Sequence, residues 1–153
     1  LEINLDVLPF LHSAIQRLLQ EYPSITHGLG RTERQVLDAV ADGARSFDEI
    51  FASTQSREER PFMGDQTVWS RILPLARGTS PALSLESSDP PHSLTKGHLP
   101  RVSLAPSGDA YRTGDADFVR RNGIDRWIGG VHLEGQECDW RWDPDRGVRN
   151  FPT

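Results

Sequence analysis

The chain has 153 residues, a formal net charge of -5 and 36% hydrophobic residues, enough for one domain-sized core without a metal or disulfide staple. It contains no apolar run of about 18 residues, as a membrane helix would need, no signal-peptide pattern, and a single cysteine, Cys138, that cannot close an internal disulfide. These features point to a cytoplasmic protein. Acids equal or outnumber bases in each of the segments 1–28, 29–77, 78–114 and 115–153, which argues against the basic face that supplies sequence-independent DNA affinity.

In chain order, Leu8, Leu11, Ile15, Leu18 and Leu19, with Tyr22 behind them, follow helical spacing after Pro9. The spacing predicts a first helix ending before Pro23, with an apolar stripe that needs a partner: the following domain, a second copy, or a preceding part of the same protein. The sequence starts at Leu1 and enters this pattern directly, as a fragment of a longer chain would. Ser24 to Gly30 is a connector. Thr32 and Gln35 have capping-box spacing ahead of a second helix carrying Val36, Leu37 and Val40, which Gly43 ends. Ser46 and Glu49 repeat that spacing ahead of a third helix with Phe47, Ile50 and Phe51. Asp65 is expected to cap a fourth helix with Val68, Trp69, Ile72 and Leu73, whose last turn Pro74 weakens.

Ala82 to Glu86 and Arg101 to Ala105 alternate apolar and polar residues, predicting a two-stranded ribbon with Leu83 and Leu85 opposite Val102 and Leu104. Ser87 to Pro100 reads as a mobile tip or insertion. Pro106 and Gly108 introduce a short helix with Ala110 and Tyr111, closed by Gly114. Three helices, a ribbon and another helix predict an α+β fold built on a winged helix-turn-helix. Its expected parts are an N-terminal helix and connector (1–28), the winged-helix domain (29–114), and a C-terminal helix and β-hairpin extension packed on it (115–153).

Four blocks, Gly28 to Leu37, Arg57 to Asp65, Leu104 to Gly108, and Gly123 to Leu133, together resemble the C-terminal region of bacterial DUF1835-domain proteins. Gly123 to Leu133 is the most specific block, whereas Leu104 to Gly108 occurs in many winged helices. The resemblance implies a preceding N-terminal domain and assigns no catalytic residue. Gly30 departs from the Ser expected at that helix start, although glycine is an acceptable N-cap.

Four constellations bear on function. Arg57, Glu58, Glu59, Arg60 and Asp65 surround Pro61, Phe62 and Gly64, and form either a polar site with a carboxylate acid or base or an ion-paired turn pinned by Phe62. This connector is longer than the three or four residues of a DNA-reading helix-turn-helix. In Gly123 to Leu133, Arg126, Trp127 and His132 are types enriched at binding hot spots; alternatively Trp127 and Ile128 plug the core while Asp125 and Arg126 pair locally. Trp140 and Trp142 share one strand face, with Arg141 on the other, and suit either base stacking or a satellite core against Val131 and Leu133. Asp143 to Gly147 looks like the start of a calcium loop, but its glycine falls at position five instead of six, so an acidic hairpin turn is the better account. His12, His27, His92, His98 and His132 show no metal-ligand spacing, and no metal or cofactor is assigned.

The function expected is a non-catalytic winged-helix interaction or regulatory module of a larger bacterial protein. Its partner would be another protein or an N-terminal domain of the same chain, with no membrane association. The alternative is a DNA-binding transcriptional regulator reading bases with Gln66, Thr67, Ser70 and Arg71, supported by Lys96 and Arg101 from the wing. A third reading is a contribution to an active site completed by a missing N-terminal domain.

Overall fold

The computed structural model describes residues 8–87, 94 and 99–150. Lys96, His92 and His98, and most of the Ser87 to Pro100 segment, lie outside the described residues. Among those described, the fold is α+β, with six helices and three separate antiparallel hairpins.

The first helix, α1 (Leu11–Leu19), reverses the orientation that its apolar stripe suggests. Leu8, Phe10, Ile15 and Leu18 are exposed, while Arg17 and the following Glu21 turn inward. The stripe is therefore split, its outer residues facing away while Leu19 and the buried Tyr22 pack in a second core. The second helix, α2 (Arg31–Ala41), starts one residue before Thr32, with Gly30 as its N-cap. Glu33, not Gln35, closes the reciprocal half of the cap, accepting the Gly30 N–H at 2.8 Å. Thr32 is buried and donates its hydroxyl to Glu21 at 2.6 Å. The glycine departure also has a steric cause: a Cβ at Gly30 would lie 2.7 Å from the Glu21 carbonyl oxygen, so a serine cap would push the two segments apart.

Helix α3 (Phe47–Ser56) has the predicted capping box, Ser46 with Glu49. Its buried Phe47 meets the edge of Trp69, with ring centroids 5.7 Å apart. Helix α4 (Asp65–Leu75) buries Val68, Trp69, Ile72, Leu73 and Leu75. Its cap is Gly64, with Asp65 at the first helical position, and Pro74 lies in the last turn. Strands β1 (Leu83–Leu85) and β2 (Val102–Leu104) pair in the predicted register, Leu83 opposite Leu104 and Leu85 opposite Val102. The Val102 N–H also donates to the Arg45 carbonyl at 2.8 Å, tying the ribbon to the turn between α2 and α3. Helix α5 (Gly108–Thr113) ends at a left-handed Gly114. One continuous core joins α2 to α5 with β1 and β2 and reaches Ala116 and Phe118, just beyond the expected boundary at 114.

The C-terminal part holds helix α6 (Phe118–Asn122), capped by Asp117, and two hairpins: β3 (Ile124–Ile128) with β4 (Val131–Gly135), and β5 (Trp140–Asp143) with β6 (Gly147–Asn150). Gly129 and Gly130 form the β3–β4 turn at positive φ, 56° and 84°, the conformation favoured by a two-residue hairpin turn. A second core of Tyr22, Val119, Ile128, Leu133 and Cys138 has Val131, Trp142 and Val148 against it, as the satellite-core reading has it for Trp142, whereas Trp140 is 37% exposed and lies outside it. Arg141 is buried; it donates to the Cys138 carbonyl and pairs with Asp117 at 3.2 Å. The connector after α1 joins this part: Trp142 donates to the Pro23 carbonyl, and its own carbonyl accepts the Ile25 N–H.

His27 lies in that connector, where its Nδ1 accepts the Leu29 N–H at 3.2 Å. Burial, and then the Arg34 guanidinium, push its imidazole down from 6.5 to about 4 against the pull of nearby carboxylates. The unfolded chain takes up this proton near pH 6.5 and the folded chain only near 4. The stability from a neutral His27 is thus complete above about pH 6.5 and is lost as pH falls towards 4. Allowing for partial exposure, the expected loss is about 1–2 kcal/mol. Urea unfolding at several pH values should show it, and His27→Asn should flatten the curve over this window.

Candidate functional site

One residue from each of two expected sites, Glu58 and Arg126, joins a single buried ion network. Arg17 donates to Glu58 at 2.6 and 2.8 Å and to Glu21 at 2.6 Å. The Glu21 side chain is fully buried, also accepts the Thr32 hydroxyl and N–H, and faces Arg71 Nε at 3.9 Å. Arg126 closes the far end by pairing with Glu33. Burial opposes charge at Arg17, Glu33, Glu58 and Arg126, and there the pairings outweigh it. Burial alone would raise the Glu33 carboxyl, but Arg126, Arg71 and the Gly30 N–H bring it below the usual range. Glu58 is lowered against burial by Arg17 and Gln35. Arg126 is raised against burial by Glu33, whereas Arg71 is lowered by burial and by the neighbouring Arg126 charge.

This assigns the first constellation residue by residue. Glu58 is 95% shielded and ionised, accepting from Arg17 and, at 3.0 Å, from Gln35; with its charge so held it is poorly suited to carry a proton near neutrality. Arg57 turns away to Asp42 at 2.7 Å. Arg60 lies over the Phe10 ring at 4.1 Å, as Arg17 does over Phe62 at 4.3 Å. Glu59 and Asp65 are exposed. The segment is therefore an ion-paired turn that pins α1, lining a cleft of about 320 Å³ together with Phe10, Arg17 and Arg31.

The DNA-reading set is divided as well. Thr67, Ser70 and Gln66 lie on the exposed side of α4, the last accepting the Leu94 N–H at 2.9 Å. Arg71 turns inward with a side chain only 17% exposed. Arg101 is exposed on the ribbon, 3.9 Å from Glu86.

Strand alternation separates the second constellation. Arg126 and Leu133 are opposite each other on the inner face of the β3–β4 hairpin, Arg126 reaching Glu33. Trp127 and His132 are opposite each other on the outer face, stacked with centroids 4.7 Å apart and planes within 4°. Trp127 is 67% exposed, so it does not plug the core. Asp125 does not pair with Arg126; its Oδ1 is 2.8 Å from His132 Nε2, and Glu134 Oε2 is 3.9 Å from His132 Nδ1. The sequence reading missed Arg17, Glu21, Glu33 and Glu134. The i,i+4 spacing of Arg17 and Glu21 was one available signal, and period-two alternation would have separated Arg126 from Trp127.

Among the described residues, no cluster of His, Cys, Asp and Glu could hold a metal. Cys138 is buried, which raises its thiol above the ordinary range and makes it a poor nucleophile. No family model, curated protein or solved structure matches this chain.

The two faces of β3 should respond differently to mutation. Glu33→Ala or Arg126→Ala leaves a buried charge without its partner and is expected to cost about 3–5 kcal/mol in urea unfolding. Replacing both, by Glu33→Leu with Arg126→Met, should cost much less than the sum. Trp127→Ala on the exposed face should change stability by less than about 0.5 kcal/mol.

Proposed function

We propose that the chain is a cytoplasmic winged-helix interaction or regulatory module of a larger protein, one that docks a protein partner and does not read DNA through α4. The helix order, the β1–β2 ribbon and its bond to the turn between α2 and α3 support the winged-helix reading. The observation that carries the functional reading is the inward turn of Arg71, the single basic residue of α4. Without it, the exposed side of α4 offers Asp65, Gln66, Thr67 and Ser70, a surface with no cation to displace counterions from phosphates. The net charge of -5 opposes DNA at longer range. No helix among the described residues is long and apolar enough to cross a membrane.

Fluorescence anisotropy with a random duplex pool tests this reading. The expected result is no micromolar binding at about 50 mM salt. Binding near 1 µM that weakens steeply by about 200 mM salt would instead establish phosphate contacts and make the chain a DNA reader.

A further inference from the structure

The β3–β4 hairpin has two chemically different faces. Its inner face uses an arginine, Arg126, to neutralise Glu33. Its outer face carries an aromatic stack with carboxylates on one side of it: Trp127 stacked on His132, with Asp125 and Glu134 opposite each other two residues along the ladder. Asp125 and Glu134 are 84% and 76% exposed, and their carboxylate oxygens lie 2.8 and 3.9 Å from the two His132 ring nitrogens. Since His132 covers one side of the indole, the 67% exposure of Trp127 belongs to its other face and edges. An uncovered π-face on a hairpin surface that carries two exposed carboxylates attracts a cation, and a planar one can both stack and donate to carboxylate. The described residues already use this chemistry in Arg17 over Phe62, Arg60 over Phe10 and, at a longer 5.8 Å, Arg121 over Tyr111.

We infer that the outer face of the β3–β4 hairpin docks an arginine-bearing peptide segment of a partner protein, with a guanidinium laid on Trp127 and hydrogen-bonded to Asp125 or Glu134. Guanidinium fits better than ammonium because it is planar, weakly hydrated and donates in a fork. This assignment rests on the interaction-module reading above and gives that module a partner chemistry.

The test is a titration of the nitrogen-labelled chain with the acetylated, amidated peptide Gly-Arg-Gly-Arg-Gly, following the indole N–H resonance of Trp127. The same peptide with citrulline, the neutral analogue of arginine, is the control. A saturable shift with a dissociation constant of roughly 1 mM or tighter is expected. It should weaken about tenfold or more in Trp127→Ala, read from the Asp125 and His132 backbone amides, and in the double variant Asp125→Asn with Glu134→Gln. Both variants alter exposed side chains, and their dispersed amide spectra report that they fold. Equal binding of the citrulline peptide, undiminished binding by both variants, or no saturation up to about 10 mM overturns the assignment. A Trp127-dependent dimer in sedimentation that resists the peptide also overturns it, by making a second copy the occupant. If the peptide fails and DNA binding is also absent, only this surface is lost. Salt-sensitive DNA binding removes the module reading and this assignment with it.

Discussion

Three carboxylates set against three guanidiniums, Glu21, Glu33 and Glu58 with Arg17, Arg71 and Arg126, tie α1 and β3 to the helices of the main core. The groups come from α1 and the residue pair after it, from α2, from the connector before α4, from α4, and from β3. Desolvating so many charges is costly, and their mutual attraction offsets that cost only when every partner is in place. The geometry is correspondingly demanding. Gly30 must admit the Glu21 backbone, Thr32 must turn its hydroxyl to Glu21, and Glu33 must serve both the α2 N-terminus and Arg126. An apolar seam would tolerate sliding, whereas this one fixes how α1 and the β3–β4 hairpin meet the helical core.

The network also accounts for the arginine-rich composition. Of 17 basic residues, 16 are arginine, and several of them form two-pronged contacts inside the fold: Arg17 on Glu58, Arg45 on the Val40 and Ala44 carbonyls, and Arg141 on Asp117 and the Cys138 carbonyl. Guanidinium suits such positions because its fork is rigid and it stays charged when buried. With these cations drawn inward, exposed carboxylates such as Asp125 and Glu134 dominate the outer face of the β3–β4 hairpin.

The elements that could be read from the sequence are those governed by neighbours in the chain. The Ser46 and Glu49 box, the Leu83 to Leu104 register, and the Gly114 stop each depend on short-range spacing or alternation. What could not be read depends on residues far apart. Nothing near Thr32 indicates that Glu21 will claim its hydroxyl, and nothing near Arg126 indicates Glu33, 93 positions away. The inward polar face of α1 has the same origin: Arg17 and Glu21 are drawn to Glu58, Thr32 and Arg71, and Leu8, Ile15 and Leu18 are left outside. The opposite fates of Arg126 and Trp127 were legible from alternation alone, but only once residues 124–128 were recognised as a strand.

The backbone clasp between Pro23, Ile25 and Trp142 makes the described fold a closed loop, fastened where its early and late segments meet. Closing a long loop costs chain entropy that rises only with the logarithm of its length, so the clasp is affordable but gains little until the helical core has brought its two sides together. Folding should therefore proceed from the helices outward, with the β5–β6 hairpin settling last, and opening should begin by the same route in reverse. A nick within the connector would release the clasp while leaving the main core's own contacts in place, and would expose Tyr22 and the second core before the first.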